Sequence, residues 1–321
     1  MRGEGMASLS AGVQRLMDAY RSGDVPAGPV LASARDVAAY AAYRMPATAA
    51  ATAAAFRQMR RGIPGWAPAT VLDFGAGTGG ASWAVADQLP VGIRLTLLEQ
   101  SGEAIRLGQA ILAESDLAAL RDASWSQWRL DAGDQAGGAA PQRADLALAA
   151  YVLGELTDRQ QERLAYVAMA AAPAILLVEP GTPAGHRRIL AARDRLLAAG
   201  FRVVAPCPHQ AACPLAVPGE WCHFGARLQR SAMHRKVKGA DLSYEDEKFS
   251  YVAAVRSADG HGAPDWPAGR IVRRPQFRKN LVTLDLCRSD GRSGALLVGK
   301  SKGEQYRRAR KASWGDRWEN G

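Results

Sequence analysis

The hydrophobic pattern changes character twice along the chain. Residues 1–66 are rich in alanine and predict a helical N-terminal segment. In residues 67–206, short apolar runs such as LALAA and AILLV alternate with amphipathic stretches of helical length. Strands buried on both faces read as continuous apolar runs, whereas surface helices show one apolar side. The alternation therefore predicts an α/β domain with a doubly wound parallel sheet.

The pattern after residue 206 is shorter and more typical of β-structure. Runs such as FSYVAAVR and KNLVTLDLC are separated by turn residues, which predicts a small β-rich part over residues 207–300. Residues 301–321 are basic with interleaved aromatic residues and predict an exposed tail. No apolar run approaches the length of a membrane-spanning helix, so we expect no membrane partner.

A glycine loop follows the first strand of the α/β region. The stretch DFGAGTG has the pattern D-x-G-x-G-x-G, and an acidic residue ends the next strand. Glycine lets a ligand approach the backbone closely, and a carboxylate at that strand end can accept hydrogen bonds from ribose hydroxyls. The spacing resembles class I S-adenosylmethionine methyltransferases more than NAD enzymes. The predicted cofactor-binding residues are Asp73, Gly75, Gly77, Gly79, Glu99 and Asp131.

Catalytic residues are less clearly marked. Amino-methylating enzymes of this class usually carry an Asn/Asp-Pro-Pro-aromatic turn after the fourth strand, where this chain has AAYVLGEL. Tyr151 and Glu155 are the polar candidates in that stretch. Cys207 is an alternative candidate, as the thiolate nucleophile of a cytosine-5 RNA methyltransferase. Binding a cofactor does not establish catalysis, so the sequence leaves enzymatic methyl transfer open.

Three of the four cysteines are crowded into residues 206–223, PCPHQAACPLAVPGEWCH. Their spacing, C-x5-C-x8-C, lacks the paired C-x2-4-C of zinc ribbons and fingers. Thiolates drawn from irregular loops suit an iron–sulfur cluster, although thiolates also bind zinc. The alternative is that the cysteines are isolated buried thiols. The polar, proline-rich sequence around them argues against this alternative. A shared metal centre would also join Cys287 to this loop and would contribute to folding.

Positive charge is concentrated in the last third of the chain. Residues 223–321 contain 21 Lys and Arg against 11 Asp and Glu, whereas residues 1–222 contain 20 of each. Lys and Arg bind phosphates and aromatic side chains stack on bases, so this asymmetry favours RNA, with a solvated basic surface as the alternative. A further basic group lies at residues 234–238. The predicted RNA-binding residues are Arg273, Arg274, Arg278, Lys279, Arg307, Arg308, Arg310 and Lys311.

Several stretches carry a family resemblance. With YRMPATAAA, VLDFGAGTGG, PCPHQAACPL and KGADLSYEDEKFSYV, the chain resembles the methyltransferase-like proteins associated with the small subunit of the mitochondrial ribosome, and their bacterial relatives. The resemblance implies a class I methyltransferase fold and a four-iron, four-sulfur cluster; zinc stays the alternative metal because thiolates bind both. Its implied ligands are Cys207, Cys213, Cys222 and Cys287.

The resulting expectation is a small-subunit assembly or translation factor that binds ribosomal RNA, S-adenosylmethionine and a structural 4Fe-4S cluster. Its partners would be small-subunit ribosomal RNA and assembly intermediates. The alternatives are an active S-adenosylmethionine-dependent rRNA methyltransferase and a redox or iron sensor. The first residues lack an apolar signal core and include Glu4, Asp18 and Asp24, which argues against a transit peptide. We therefore expect a cytoplasmic protein. We also expect it to be a monomer.

Overall fold

The computed structural model of the protein describes residues 33–89, 92–130, 141–229, 243–256 and 264–319. Within these residues the chain forms two β-sheets, one of eight strands and one of five. Two apolar cores cover the two faces of the larger sheet, and a third core lies against the smaller one.

The larger sheet is built mainly from the α/β region. Its strands are β1 (Thr70–Phe74), β2 (Arg94–Glu99), β3 (Ser124–Gln127), β4 (Leu146–Ala150), β5 (Ala174–Pro180), β6 (Phe201–Ala205), β7 (Phe224–Gln229) and β8 (Tyr244–Arg256). They are ordered β3-β2-β1-β4-β5-β8-β6, and β7 pairs with β8. The first five are mutually parallel, whereas β8 runs antiparallel to β5, β6 and β7. The sheet is therefore mixed rather than wholly parallel, and its parallel strands with helices packed on both faces confirm the predicted α/β fold class.

Side chains accept hydrogen bonds from free amides at the start of four of the helices in the described residues. The helices are α1 (Ala34–Gly62), α2 (Gly80–Ala86), α3 (Gly102–Ala113), α4 (Ala118–Arg121), α5 (Asp158–Ala171), α6 (Pro183–Ala198) and α7 (Glu304–Lys311). Hydroxyls of Ser33, Ser101 and Thr182 accept hydrogen bonds from amides in the first turns of α1, α3 and α6. Thr157 forms a reciprocal capping box with Gln160 at α5.

Strands β7 and β8 lie beyond residue 206, the boundary predicted for the α/β domain, yet they belong to the larger sheet. β8 inserts between β5 and β6, with Leu176 opposite Ala253. The physical reason is its apolar run, since residues 249–255 are all buried, as in a central strand. The stretch that reads as C-terminal β-structure therefore completes the first sheet.

The smaller sheet consists of antiparallel pairs. Its strands are β9 (Gly269–Ile271), β10 (Gln276–Arg278), β11 (Leu281–Arg288), β12 (Ser293–Gly299) and β13 (Arg317–Trp318). This sheet confirms the predicted β-rich C-terminal part. The basic last segment contributes α7 and β13 to it, and Ala309 and Trp318 enter its core. Tyr306 and Ala312 pack against the same core, so apolar residues spaced among the charges dock this segment on the sheet.

None of the helices in the described ranges combines the length and the apolar character that crossing a bilayer requires.

Candidate functional site

The glycine loop lies directly after β1 and has left-handed backbone at three glycines. The φ angles of Gly75, Gly77 and Gly79 are 67°, 57° and 89°. The amide of Gly75 donates to the Leu98 carbonyl at 2.8 Å, which holds the loop against the end of β2. A Cβ atom on Gly75 would lie 2.6 Å from a methyl group of Val152. Glycine is required here both by conformation and by space.

Glu99 is fixed at the end of β2 by backbone amides. One carboxylate oxygen accepts a hydrogen bond from Gly77 at 2.9 Å, and the other accepts one from Ser101 at 2.8 Å. Each oxygen retains a further lone pair, so the carboxylate can still accept hydrogen bonds from a ligand. Glu99 is therefore pre-positioned beside the glycine loop by the loop itself.

Asp73 has a different environment from Glu99. Its carboxyl group is buried, and one oxygen accepts a hydrogen bond from Ser82 at 2.7 Å while the other has no partner. Burial raises the pKa of Asp73 to about 7, although the hydrogen bonds from Ser82 act in the opposite direction. Asp73 lies beneath the loop, whereas Gly75, Gly77 and Glu99 line the cleft above it.

The cleft above the glycine loop has an empty volume of ≈ 1450 Å³, including its open mouth. Side chains from several elements form its walls, among them Tyr40 of α1, Trp128 after β3 and Glu155 after β4. Tyr40 and Trp128 carry no sequence motif, and only the fold brings them to the loop. The predicted residue Asp131 lies outside the described residues.

Tyr151, one of the two catalytic candidates, is held in a buried polar group. Its φ angle is 63°, and its hydroxyl donates to Glu247 of β8 at 2.8 Å. Arg44 of α1 pairs with the same carboxylate at 3.3 Å and lies 4.5 Å from the centre of the Tyr151 ring. Burial and the Glu247 charge raise the pKa of Tyr151 well above its usual value. The hydroxyl is thus held by Glu247, and the raised pKa disfavours its action as a base.

The four cysteines line a single cavity between the two sheets. Its empty volume is ≈ 500 Å³, open mouth included, and none of the four is in a disulfide. The lining also includes Arg193 of α6 and Arg270 of β9. The cysteines are Cys207, Cys213 and Cys222 from the loop between β6 and β7, and Cys287 from β11.

Burial is the main influence on these thiols. It raises the pKa of all four cysteines, and the other thiols raise the pKa of Cys222 further. His209, in the same loop as three of the cysteines, lies with its Nε2 3.2 Å from the sulfur of Cys287. In the described part of the chain, no three His, Cys, Asp or Glu side chains are arranged around one metal-ion position. The four-thiol lining nevertheless has the donor chemistry of a thiolate-bound metal centre.

Some of the predicted RNA-binding residues already form ion pairs within the protein. Arg273 pairs with Glu220, Arg274 with Asp246 and Arg307 with Glu304, so the protein already offsets part of their charge.

Predicted RNA-binding residues from the α7 region and from the β10 region lie near the Phe277 side chain. The Arg310 guanidinium of α7 lies 5.3 Å from the centre of the Phe277 ring, and this ring is 48% exposed. Arg278 and Lys279 follow Phe277 directly and are exposed. Arg308 packs on Trp318 and donates to the Glu319 carbonyl, so it acts within the fold. Residues 234–238, the further basic group, lie outside the described residues.

Comparison with known families gives a match over nearly the whole described chain. Residues 34–319 match the model of the family Rsm22, described as mitochondrial small ribosomal subunit Rsm22. The chain belongs to the Rsm22 family. This confirms the resemblance to methyltransferase-like proteins of the mitochondrial small subunit that the sequence motifs carry.

Two kinds of curated relative support the Rsm22 assignment. The human protein "Ribosome assembly protein METTL17, mitochondrial" is 30% identical over 295 residues, which are 86% of this chain and 61% of that protein. "Rsm22-cox11 tandem protein 2, mitochondrial" of Schizosaccharomyces pombe is 29% identical over 187 residues, 44% of this chain and 24% of that protein. The chain thus spans less than two thirds of the length of these relatives.

The same relatives correct the predicted location. Both are named as mitochondrial proteins, which indicates a mitochondrial rather than a cytoplasmic location, so the cytoplasmic prediction is wrong. The prediction rested on the composition of the first residues, and the folded part of the chain carries no information on the compartment.

Solved methyltransferase structures are similar at low identity. The plantazolicin methyltransferase BpumL in complex with SAH is 14% identical with a TM-score of 0.43, covering 79% of this chain and 98% of that one. Magnesium protoporphyrin IX methyltransferase ChlM from Synechocystis PCC 6803 with bound SAM is 15% identical with a TM-score of 0.39, covering 75% and 91%.

Proposed function

We propose that this Rsm22-family protein is an assembly or translation factor of the small ribosomal subunit and binds ribosomal RNA. The observation that carries the proposal is the match of residues 34–319 to the Rsm22 family, together with the similarity to a human protein named as a ribosome assembly protein. Its partners would be small-subunit RNA and assembly intermediates, and the protein would act as a monomer.

The RNA-binding part of the proposal is supported by the surface around Phe277. Arg310 lies over this exposed ring, Arg278 and Lys279 follow the ring in the chain, and Lys311 follows Arg310, so phosphate-binding charge is combined with a stacking surface. Contacts of this kind position a protein on RNA without reading its sequence. We call these four cations and Phe277 the basic surface.

S-adenosylmethionine is the cofactor that we propose for the cleft. The left-handed glycine loop and the amide-held Glu99 fit the amino-acid and ribose parts of such a ligand. When bound, the cofactor would supply an electrophilic methyl group. The residues of this chain would hold it through Gly75, Gly77 and Glu99, with Tyr40 and Trp128 as apolar walls.

A structural 4Fe-4S cluster, with zinc as the alternative, is the group that we propose for the thiol-lined cavity. The support is that residues far apart in sequence, Cys207, Cys213, Cys222 and Cys287, line one cavity. A thiolate-bound centre there would join the β6–β7 loop to β11 and so connect the two sheets, contributing metal-binding energy to folding.

Association with ribosomal particles tests the proposal directly. Tagged protein, expressed in cells lacking the native copy, should sediment with small-subunit precursors and not with large subunits. A variant with Arg278, Lys279, Arg310 and Lys311 changed to Gln should lose this association while keeping its thermal stability. Arg292→Gln is the control, because this exposed arginine pairs with Asp290 in a turn away from Phe277. Equal recovery with both subunits, or with neither, would contradict the proposal.

The open cleft is the observation that favours a second function, methyl transfer to ribosomal RNA. Transfer of a labelled methyl group from S-adenosylmethionine to small-subunit precursors would support it. Confirmed binding of the donor without transfer to any small-subunit intermediate would leave the assembly role without catalysis.

A further inference from the structure

Two buried arginines face the thiol-lined cavity. Arg193 of α6 and Arg270 of β9 are each 2% exposed, and both belong to the cavity wall that the four cysteines form. A guanidinium group stays charged in proteins, so the wall carries two positive charges in a region shielded from water. Buried charges are normally matched by an opposite charge.

The partners of Arg270 are neutral in the described residues. Its Nε donates to the Pro206 carbonyl at 3.0 Å, and its Nη1 donates to the Gln58 side chain at 2.6 Å and to the Gly315 carbonyl at 3.0 Å. Its charged neighbour Arg317 repels it.

Arg193 is nearly as poorly matched. It donates to the Ala211 carbonyl at 2.6 Å, and its Nε has no partner. Among the described residues it forms an ion pair with Asp194 at 3.3 Å, and the Asp194 side chain is 71% exposed and therefore screened by water. The Arg193 side chain lines the same cavity as the Cys207 thiol.

We infer that Arg193 and Arg270 are the counter-charges of a dianionic thiolate centre held by the four cysteines. The inference rests on the proposed cluster. Four thiolates around a core with two positive charges carry two negative charges overall, which equals the charge of the two arginines in magnitude. The match explains why the protein buries two guanidinium groups with mainly neutral hydrogen-bond partners.

The two arginines should make the centre easier to reduce. A positive charge stabilises a more negative, reduced centre relative to the oxidised one, so each arginine raises the reduction potential. The same two side chains also bind the carbonyls of Pro206 and Ala211 at both ends of the first part of the cysteine loop. An experiment must therefore separate charge from hydrogen bonding.

Substitution of Arg193 makes this separation. Arg193→Gln removes the charge, Arg193→Lys keeps it without the fork of donors, and Arg187→Gln removes an exposed charge from the same helix. The full-length proteins are purified without oxygen and reconstituted with ferrous iron and sulfide. Iron and sulfide per chain, the midpoint potential in a dithionite titration, and the rate of bleaching by EDTA are then measured.

We expect the potential of Arg193→Gln to fall and its bleaching to accelerate roughly tenfold to a hundredfold, as for other side chains that support metal ligands. Arg193→Lys and Arg187→Gln should resemble the wild type.

If Arg193→Gln does not fold, Arg193→Lys and Arg270→Lys still decide, because loss of iron from both would show that hydrogen bonding and not charge is required. Wild-type protein without iron and sulfide would refute the proposed cluster, and the inference with it. A loaded wild type with unchanged potential in Arg193→Gln would refute the inference alone.

Discussion

The two carboxyl groups near the glycine loop differ because their hydrogen bonds differ. Glu99 accepts backbone amide bonds on both oxygens, whereas Asp73 has one hydroxyl donor and one oxygen without a partner. Sequence alone presents them as equivalent acids at two strand ends. Backbone amides of the loop and of Ser101 point at Glu99. The folded backbone sets this difference between the two acids, and the sequence does not show it.

Asp73 should make the stability of the protein depend on pH. Its pKa rises from 3.8 in the unfolded chain to about 7 in the fold, so its stabilising contribution is complete below about pH 4. It is lost as the pH rises to about 7, by at most about 4 kcal/mol. Asp73→Asn should remove this component, so that its melting temperature falls less than that of the wild type between pH 5 and pH 8. Exposed Asp87→Asn is the control, and parallel pH profiles for Asp73→Asn and the wild type would contradict the assignment.

Tyr151 should act as a structural residue. Tyr151→Phe removes the hydrogen bond to Glu247 but leaves the ion pair of Glu247 with Arg44. The free energy of unfolding should fall by about 1–2 kcal/mol, while the affinity for S-adenosylmethionine stays within about threefold of the wild type. Calorimetry measures both quantities, with exposed Tyr166→Phe as the control. Unchanged stability, together with loss of a measured methyl transfer, would instead make Tyr151 catalytic.

At the scale of secondary-structure elements, the order of strands and helices was predictable because each buried strand is a short apolar run between amphipathic helices. The place of β8 was not, because pairing between β5 and β8 joins residues about 75 positions apart. The same long-range pairing brings Glu247 to Tyr151, a contact across 96 residues. Sequence motifs therefore identified the glycine loop as a site but gave no role to Arg44, Glu247 or Tyr40 around it.

The glycine loop should tolerate no side chain at residue 75. Gly75→Ala would place a methyl group 2.6 Å from Val152 in a left-handed backbone, and so displace the cleft wall. Its affinity for S-adenosylmethionine, measured by titration calorimetry, should fall more than about tenfold, since the change costs well over 1.4 kcal/mol. Gly65→Ala is the matched control, with a φ of +81° and open space around the added atom. Equal affinities in the two variants would place the ligand elsewhere.

For the whole molecule, the thiol-lined cavity is the point where the two sheets share one proposed site. Cysteine crowding in the sequence indicated the site and the family resemblance supplied its four residues, but the buried arginines carry no motif and emerge only from the packing of α6 and β9. A single centre there would make the stability of the small sheet depend on that of the large one.

Loss of one cysteine should therefore affect iron content and stability together. Cys213→Ser should lose most of its iron and unfold at a lower temperature, because a bound structural metal centre contributes directly to the folding free energy. Val217→Ser, in the same loop and exposed, should keep both properties. A Cys213→Ser protein with full iron content and full thermal stability would show that Cys213 is not a ligand.

The most direct test of the account is the metal content of the unmodified protein. The full chain is purified without oxygen, its visible spectrum is recorded, and iron, acid-labile sulfide and zinc are assayed. A 4Fe-4S cluster on the four cysteines would give a brown protein with about four iron and four sulfide per chain, and we predict this result. A colourless protein with one zinc would keep a metal link between the sheets but contradict the cluster. A colourless, metal-free protein would contradict the thiolate centre altogether.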